Sequence, residues 1–94
     1  MDPGAAAPQI GAGMPTPRPE DRVVGHVLRS FREQQDLSQE DAAHAAGIHR
    51  AQYGRYEAGH NAPSFVTVLQ IARRLGVPAA VIAQAAEEQL DALS

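Results

Sequence analysis

The chain has 94 residues, eight basic and eleven acidic side chains, a formal net charge of −3 and no cysteine. That length supports one small domain with a single core and leaves no room for a separate effector-binding domain; the lack of cysteine excludes disulfides and thiolate metal sites. No run approaches the roughly 18 consecutive apolar residues of a membrane span, and the N-terminus has neither the basic nor the apolar region of a secretory signal, so a cytoplasmic protein without a membrane partner is expected.

Residues 1–20 hold five of the seven prolines, with three glycines, four alanines and almost no bulky apolar side chains. Such a segment cannot bury enough surface to offset its ordering entropy and reads as a flexible tail, leaving 21–94 as the folded domain. From Asp21 to about Gln34, Val24, Val27, Leu28 and Phe31 recur at the spacing of one helix face. Ser38, with Asp41 three residues on, reads as an N-cap opening a second helix, and Glu40 and Asp41 suit the positive end of its dipole. Gly47 closes it. A third helix runs from His49 to about Ala58 and stops at Gly59. Pro63 and Ser64 open a fourth, with Phe65, Val68, Ala72 and Leu75 on one face, and Gly76 ends it. Pro78 suits the first turn of a fifth, over 78–92, where Val81 and Ile82 are expected to face the core. No run alternates like a strand. Helices this short are marginal alone and must pack on one another, which predicts an all-α, five-helix domain.

Net acidity at first argues against a nucleic-acid partner. Its distribution matters more. Between Gly25 and Gly76 there are six Arg and five acids, and the excess acid lies at the two ends of the chain. A near-neutral domain binds DNA if its few cations share a face.

Residues 39–58 form a helix-turn-helix by their own chemistry. Ala43 is small enough for two helices to approach, Gly47 suits the turn, and Ala42, Ala46, Ile48, Tyr53 and Tyr56 point into the domain. Arg50, Ala51, Gly54, Arg55 and Ala58 then face outward. Arg bonds bidentately to guanine and Gln to adenine in the major groove, which makes Arg50, Arg55 and Gln52 the candidate readers, with Ala51 able to touch a thymine methyl. Gly54 costs about 1 kcal/mol of helix propensity; it is either merely tolerated or left bare for close approach to DNA. The four histidines (26, 44, 49 and 60) offer no third ligand beside His44 and His49, so no metal and no cofactor are expected. No nucleophile elbow, phosphate loop or obvious acid pair suggests an enzyme.

The stretches Leu37–Ala43, Ala46-Gly47-Ile48, Tyr56–Gly59, Asn61–Ser64 and Ile71–Val77 together resemble the phage-repressor/Cro (Xre-type) helix-turn-helix family, over roughly residues 22–83. The resemblance implies that Gln39, which opens the first motif helix, binds a backbone phosphate. It implies that His49, Arg50, Ala51 and Gln52 reach bases, with Arg55 one turn on, and that Gly59, His60 and Asn61 meet phosphate. A partly buried ion pair between Arg32 and Glu57 is also implied, holding the reading helix in place. Ala42 stands where the family usually has Leu, and Tyr53 replaces a smaller aliphatic residue; its hydroxyl is expected at the edge of the core. His49 and His60 near phosphates would make binding mildly pH-sensitive.

These readings predict a transcriptional regulator, in the first instance a repressor, that binds double-stranded DNA as a homodimer on a palindromic operator. Two recognition helices about 34 Å apart would read the two half-sites. Surplus apolar residues on the fourth and fifth helices, Val66, Leu69, Leu90 and Leu93, are the expected dimer interface. Two alternatives stand beside this: an antitoxin that binds DNA and a toxin as second protein partner, and a protein-interaction module that has lost DNA binding.

Overall fold

A computed structural model describes residues 16–94, so most of the expected N-terminal tail lies outside the described residues. Five helices follow in order: α1 Pro19–Gln34, α2 Gln39–Ala46, α3 Arg50–Ala58, α4 Phe65–Leu75 and α5 Ala79–Leu93. Among the described residues there is no strand, and no single helix is long and apolar enough to cross a membrane.

Local signals explain most of the boundaries. Helix α1 starts at Pro19, two residues ahead of the expected Asp21, because Pro fits the first helical position and Glu20 and Asp21 follow in the first turn. Arg18 braces that start through a 3.0 Å ion pair to Asp21. The Ser38 hydroxyl accepts from the Asp41 N–H at 3.0 Å, as the cap pattern requires. Helix α2 ends where Gly47 takes φ 73°, and α3 ends where Gly59 takes φ 82°; both are left-handed positions that glycine adopts at little steric cost. His49 lies just outside α3 rather than within it. It is the N-cap, its Nδ1 accepting the Ala51 N–H at 3.2 Å. Pro78 likewise caps α5 instead of joining its first turn.

The core draws on all five helices: Val23, Val27 and Leu28 of α1, Ala42 and Ala43 of α2, Tyr53 and Tyr56 of α3, Ile71, Ala72 and Leu75 of α4, and Ile82 and Ala86 of α5. Helix α1 lies against α3 and α5, and α2 lies against α3 and α4. The α1–α3 approach is close because Gly25 has no side chain; a Cβ there would run into the Tyr56 and Glu57 carbonyl oxygens.

Four expectations about facing need correction. Val23 is the buried residue at the start of α1, and Val24 only flanks the core. Phe65 is 72% exposed, because it occupies the first position of α4 and that helix buries only its later residues, Ile71, Ala72 and Leu75. Val81 is exposed, since the buried row of α5 runs through Ile82 and Ala86 and a residue one step away is turned by about 100°. Leu90 continues that row and packs partly against the core, so it is not a free surface residue.

Candidate nucleic-acid interface

Helix α3 is divided between two environments. Tyr53 is fully buried and Tyr56 nearly so, whereas Arg50, Ala51, Arg55 and Ala58 are exposed; Gln52 and Gly54 are half-buried. Of the five residues expected to face outward, Arg50, Ala51, Arg55 and Ala58 do; Gly54 does not, because the start of α2 at Gln39 lies beside it. Neither Arg50 nor Arg55 forms a side-chain hydrogen bond or an ion pair among the described residues. Both guanidiniums keep their donors for an external acceptor.

A buried polar cluster holds this helix. Arg32 grips the Glu57 carboxylate with two parallel bonds, Nε to Oε2 at 2.7 Å and Nη2 to Oε1 at 3.0 Å. Its remaining Nη1 donates to the Leu37 carbonyl at 2.7 Å. The Gln39 amide adds a third bond to Glu57, Nε2 to Oε1 at 2.9 Å. One arginine thus ties α1, the α1–α2 turn and α3 together, and Gln39 adds the start of α2. Burial alone would raise the Glu57 pKa, but hydrogen bonding by Arg32 and Gln39, with the nearby Tyr53 hydroxyl, outweighs it and holds the carboxyl below its usual value. The hydrogen bond to Glu57 raises Arg32 despite the opposing effect of burial.

The Tyr53 hydroxyl is not at the edge of the core. It is buried beside the Glu57 carboxylate with no well-formed hydrogen bond among the described residues, and burial first, then the adjacent Glu57 carboxylate, push its pKa up. It is closed off from any partner outside the domain.

The expected backbone clamps are placed unevenly. Gln39 sits at the first position of α2 with its side chain turned inward to Glu57. Its Oε1 would lie 3.5 Å from a Cβ on Gly54, an ordinary contact, so the Gln39 amide does not require a glycine there. His49, His60 and Asn61 are exposed. The backbone N–H groups of Gly59, His60 and Asn61 already donate to the Tyr56 and Arg55 carbonyls at 3.0–3.4 Å. Outward this loop therefore offers the exposed His60 and Asn61 side chains, and buried Gly59 contributes the left-handed turn. One cation was missed in the sequence. Exposed Arg22 of α1 lies so close to Gly59 that a Cβ there would come within 2.9 Å of the Arg22 Cγ. Nothing in the local pattern of α1 marks Arg22; only the α1–α3 packing brings it to the loop.

Among the described residues, no three His, Asp or Glu side chains come together as a metal site would require.

The helix-turn-helix family model matches residues 28–82. The cryptic phage CTXphi transcriptional repressor RstR of Vibrio cholerae is 34% identical over 64 residues, 68% of this chain. The chain spans only 58% of that repressor's length. The restriction-modification controller protein C.AhdI of Aeromonas hydrophila superposes with a TM-score of 0.64 at 31% identity, over 65% of this chain and 92% of C.AhdI. The clp gene regulator ClgR of Corynebacterium glutamicum has the same fold, with a TM-score of 0.76 at 19% identity over 83% of each chain. With the family match covering more than half of its length, from the middle of α1 into α5, the chain belongs to the Xre-type helix-turn-helix family of DNA-binding transcriptional regulators.

Proposed function

We propose that this chain is a sequence-specific regulator that binds a palindromic operator as a homodimer and represses by occupying it. The observation that carries the reading is the division of α3: two tyrosines lock it into the core while Arg50 and Arg55 stand exposed on its other face, with no ion pair among the described residues. In this reading Arg50 and Arg55 contact bases, with Gln52 and Ala51 beside them. Gln39, His49, His60 and Asn61 contact phosphates, and Arg22 adds a further phosphate contact. Residues 21–94 form the DNA-binding domain and act in the cytoplasm. The second copy docks on the exposed apolar residues Val66 and Leu69 of α4 and Leu93 of α5. Val66 and Leu69 line an open groove of about 420 Å³ between α4 and α5, whose floor includes Val77 and Pro78.

Selection of bound sequences from a random DNA pool tests the reading directly. A palindromic consensus with half-sites about one helical turn apart is expected. Against that consensus, Arg50→Ala and Arg55→Ala should each cost about 1–3 kcal/mol and relax the preference at one position. If both leave affinity and preference unchanged, α3 does not read the bases.

A further inference from the structure

Helix α4 opens with a phenylalanine that the core does not use. Phe65 is 72% exposed, and Val66 and Leu69 beside it are exposed as well. Phe65, Leu69 and Ala72 stand at i, i+4 and i+7 and so form one row along the helix. Leu69 and Ala72 also line the open groove of about 420 Å³ between α4 and the start of α5. One surface therefore holds an aromatic knob and, next to it, an apolar hollow larger than a phenyl ring needs. Single exposed apolar residues are ordinary, but a contiguous group beside a groove marks an interaction site. The charges around the hollow are of both signs. Arg73 lines its α4 wall. On the α5 wall, Ala79 begins a row that continues at spacings of four through Ala83 to Glu87. Arg73 and Glu87 are both exposed, and neither has an ion-pair partner among the described residues. A two-fold interface sets one patch against its own copy, so each feature must find its complement within that patch. This patch carries two such complements, ring with hollow and cation with anion, whereas an unrelated partner would call for only one half of each.

Resting on the homodimer reading above, we infer that Phe65 of each copy enters the α4–α5 groove of the other, and that Arg73 pairs with Glu87 across the interface. Val66 and Leu69 pack around the inserted ring at the centre. Aromatic side chains in desolvated pockets carry most of the energy of an interface, so Phe65 is the anchor. The ion pair lies at the rim. It adds little affinity, but like charges facing each other there are costly, so it fixes the register and selects a copy of the same chain.

The test is the oligomeric state of the full-length chain without DNA, followed by sedimentation equilibrium. Phe65→Ser should raise the dimer dissociation constant about 30-fold. Its helical circular dichroism should not change, because the side chain lies outside the core. Arg73→Glu sets two carboxylates against each other at both rims of the dimer, and Glu87→Arg sets two guanidiniums there; each alone should weaken the dimer about tenfold. Mixed in equal amounts, the two variants meet with opposite charges at both rims. A heterodimer within about threefold of wild-type affinity is then expected, identified by native mass spectrometry with one variant isotope-labelled. A wild-type dimer indifferent to Phe65→Ser overturns this arrangement and leaves the homodimer reading standing. So do charge variants that stay dimeric alone, or that fail to recover on mixing. A wild-type chain that remains monomeric at every concentration overturns the homodimer reading itself, and the arrangement with it.

Discussion

Glu57 is the residue on which the position of the reading helix turns. Its carboxylate is almost fully enclosed and takes both prongs of Arg32. Removing one partner of such a pair leaves an uncompensated buried charge, which typically costs about 3–5 kcal/mol. Arg32→Ala is therefore expected to lower stability by that amount in urea unfolding. Glu57 also gives the pair a pH signature. Its folded pKa is depressed, so the stabilisation is fully present above the ordinary carboxylate range and is lost as pH falls through the lower folded value. Glu57→Gln should flatten the acid side of the stability profile relative to the wild type. Urea midpoints taken from neutral pH down through the carboxylate range check this, and parallel profiles would contradict it. Arg32 and Glu57 were named as a pair from family resemblance alone. Gln39 was not placed in the cluster, because a separation of 18 residues from Glu57 carries no signal that their polar atoms meet; Tyr53 stands one turn before Glu57 on the same helix, a spacing that does bring side chains together.

At the scale of the helices, two glycines make opposite predictions. Gly54 lies mid-helix in α3, where a Cβ would find only the Gln39 Oε1 at 3.5 Å, an ordinary contact. Gly54→Ala should thus stabilise the fold by up to about 1 kcal/mol through helix propensity. If the same variant binds DNA more weakly, the bare surface serves the interface. Gly25 lies mid-helix in α1 against the α3 backbone, with no space for a Cβ. Gly25→Ala should destabilise by about 1–3 kcal/mol as α1 and α3 are pushed apart. Circular dichroism melts distinguish the two signs. Gly54 drew attention in the sequence because it interrupts a recognition helix. Gly25 did not, because a helix-breaking residue shows only its cost; its use lies in a partner helix more than 30 residues away. The facing errors at Phe65 and Val81 have a similar origin. Periodicity defines a stripe on a helix, and where along its length that stripe meets the core depends on the neighbouring helices.

For the molecule as a whole, the proposed homodimer makes its own demand. Val66 and Leu69 are 62% and 40% exposed beside an apolar groove, which suits an interface better than a solvated surface. A charge at Leu69, as in Leu69→Asp, should shift the chain to monomer in sedimentation equilibrium. It should also lower affinity for a full palindrome far more than for a single half-site. Equal losses on both would place the effect within the monomer. Binding should weaken steeply with salt in either case, since the proposed phosphate contacts would release counterions.

What the sequence determined by itself is local and periodic: five helices and most of their ends, since caps and left-handed glycines act within a few residues, and the outward row of α3, since 3.6 residues per turn sets it. It also carried the family, because several short motifs recur in order and spacing. Only the tertiary structure decided which polar atoms share the buried cluster, that Gln39 faces Glu57, that the Tyr53 hydroxyl is enclosed beside Glu57, and that Arg22 reaches the loop after α3. Each of these depends on how one helix lies across another. Packing sets that crossing through the combined shape of all five helices, and no single stretch of sequence contains it.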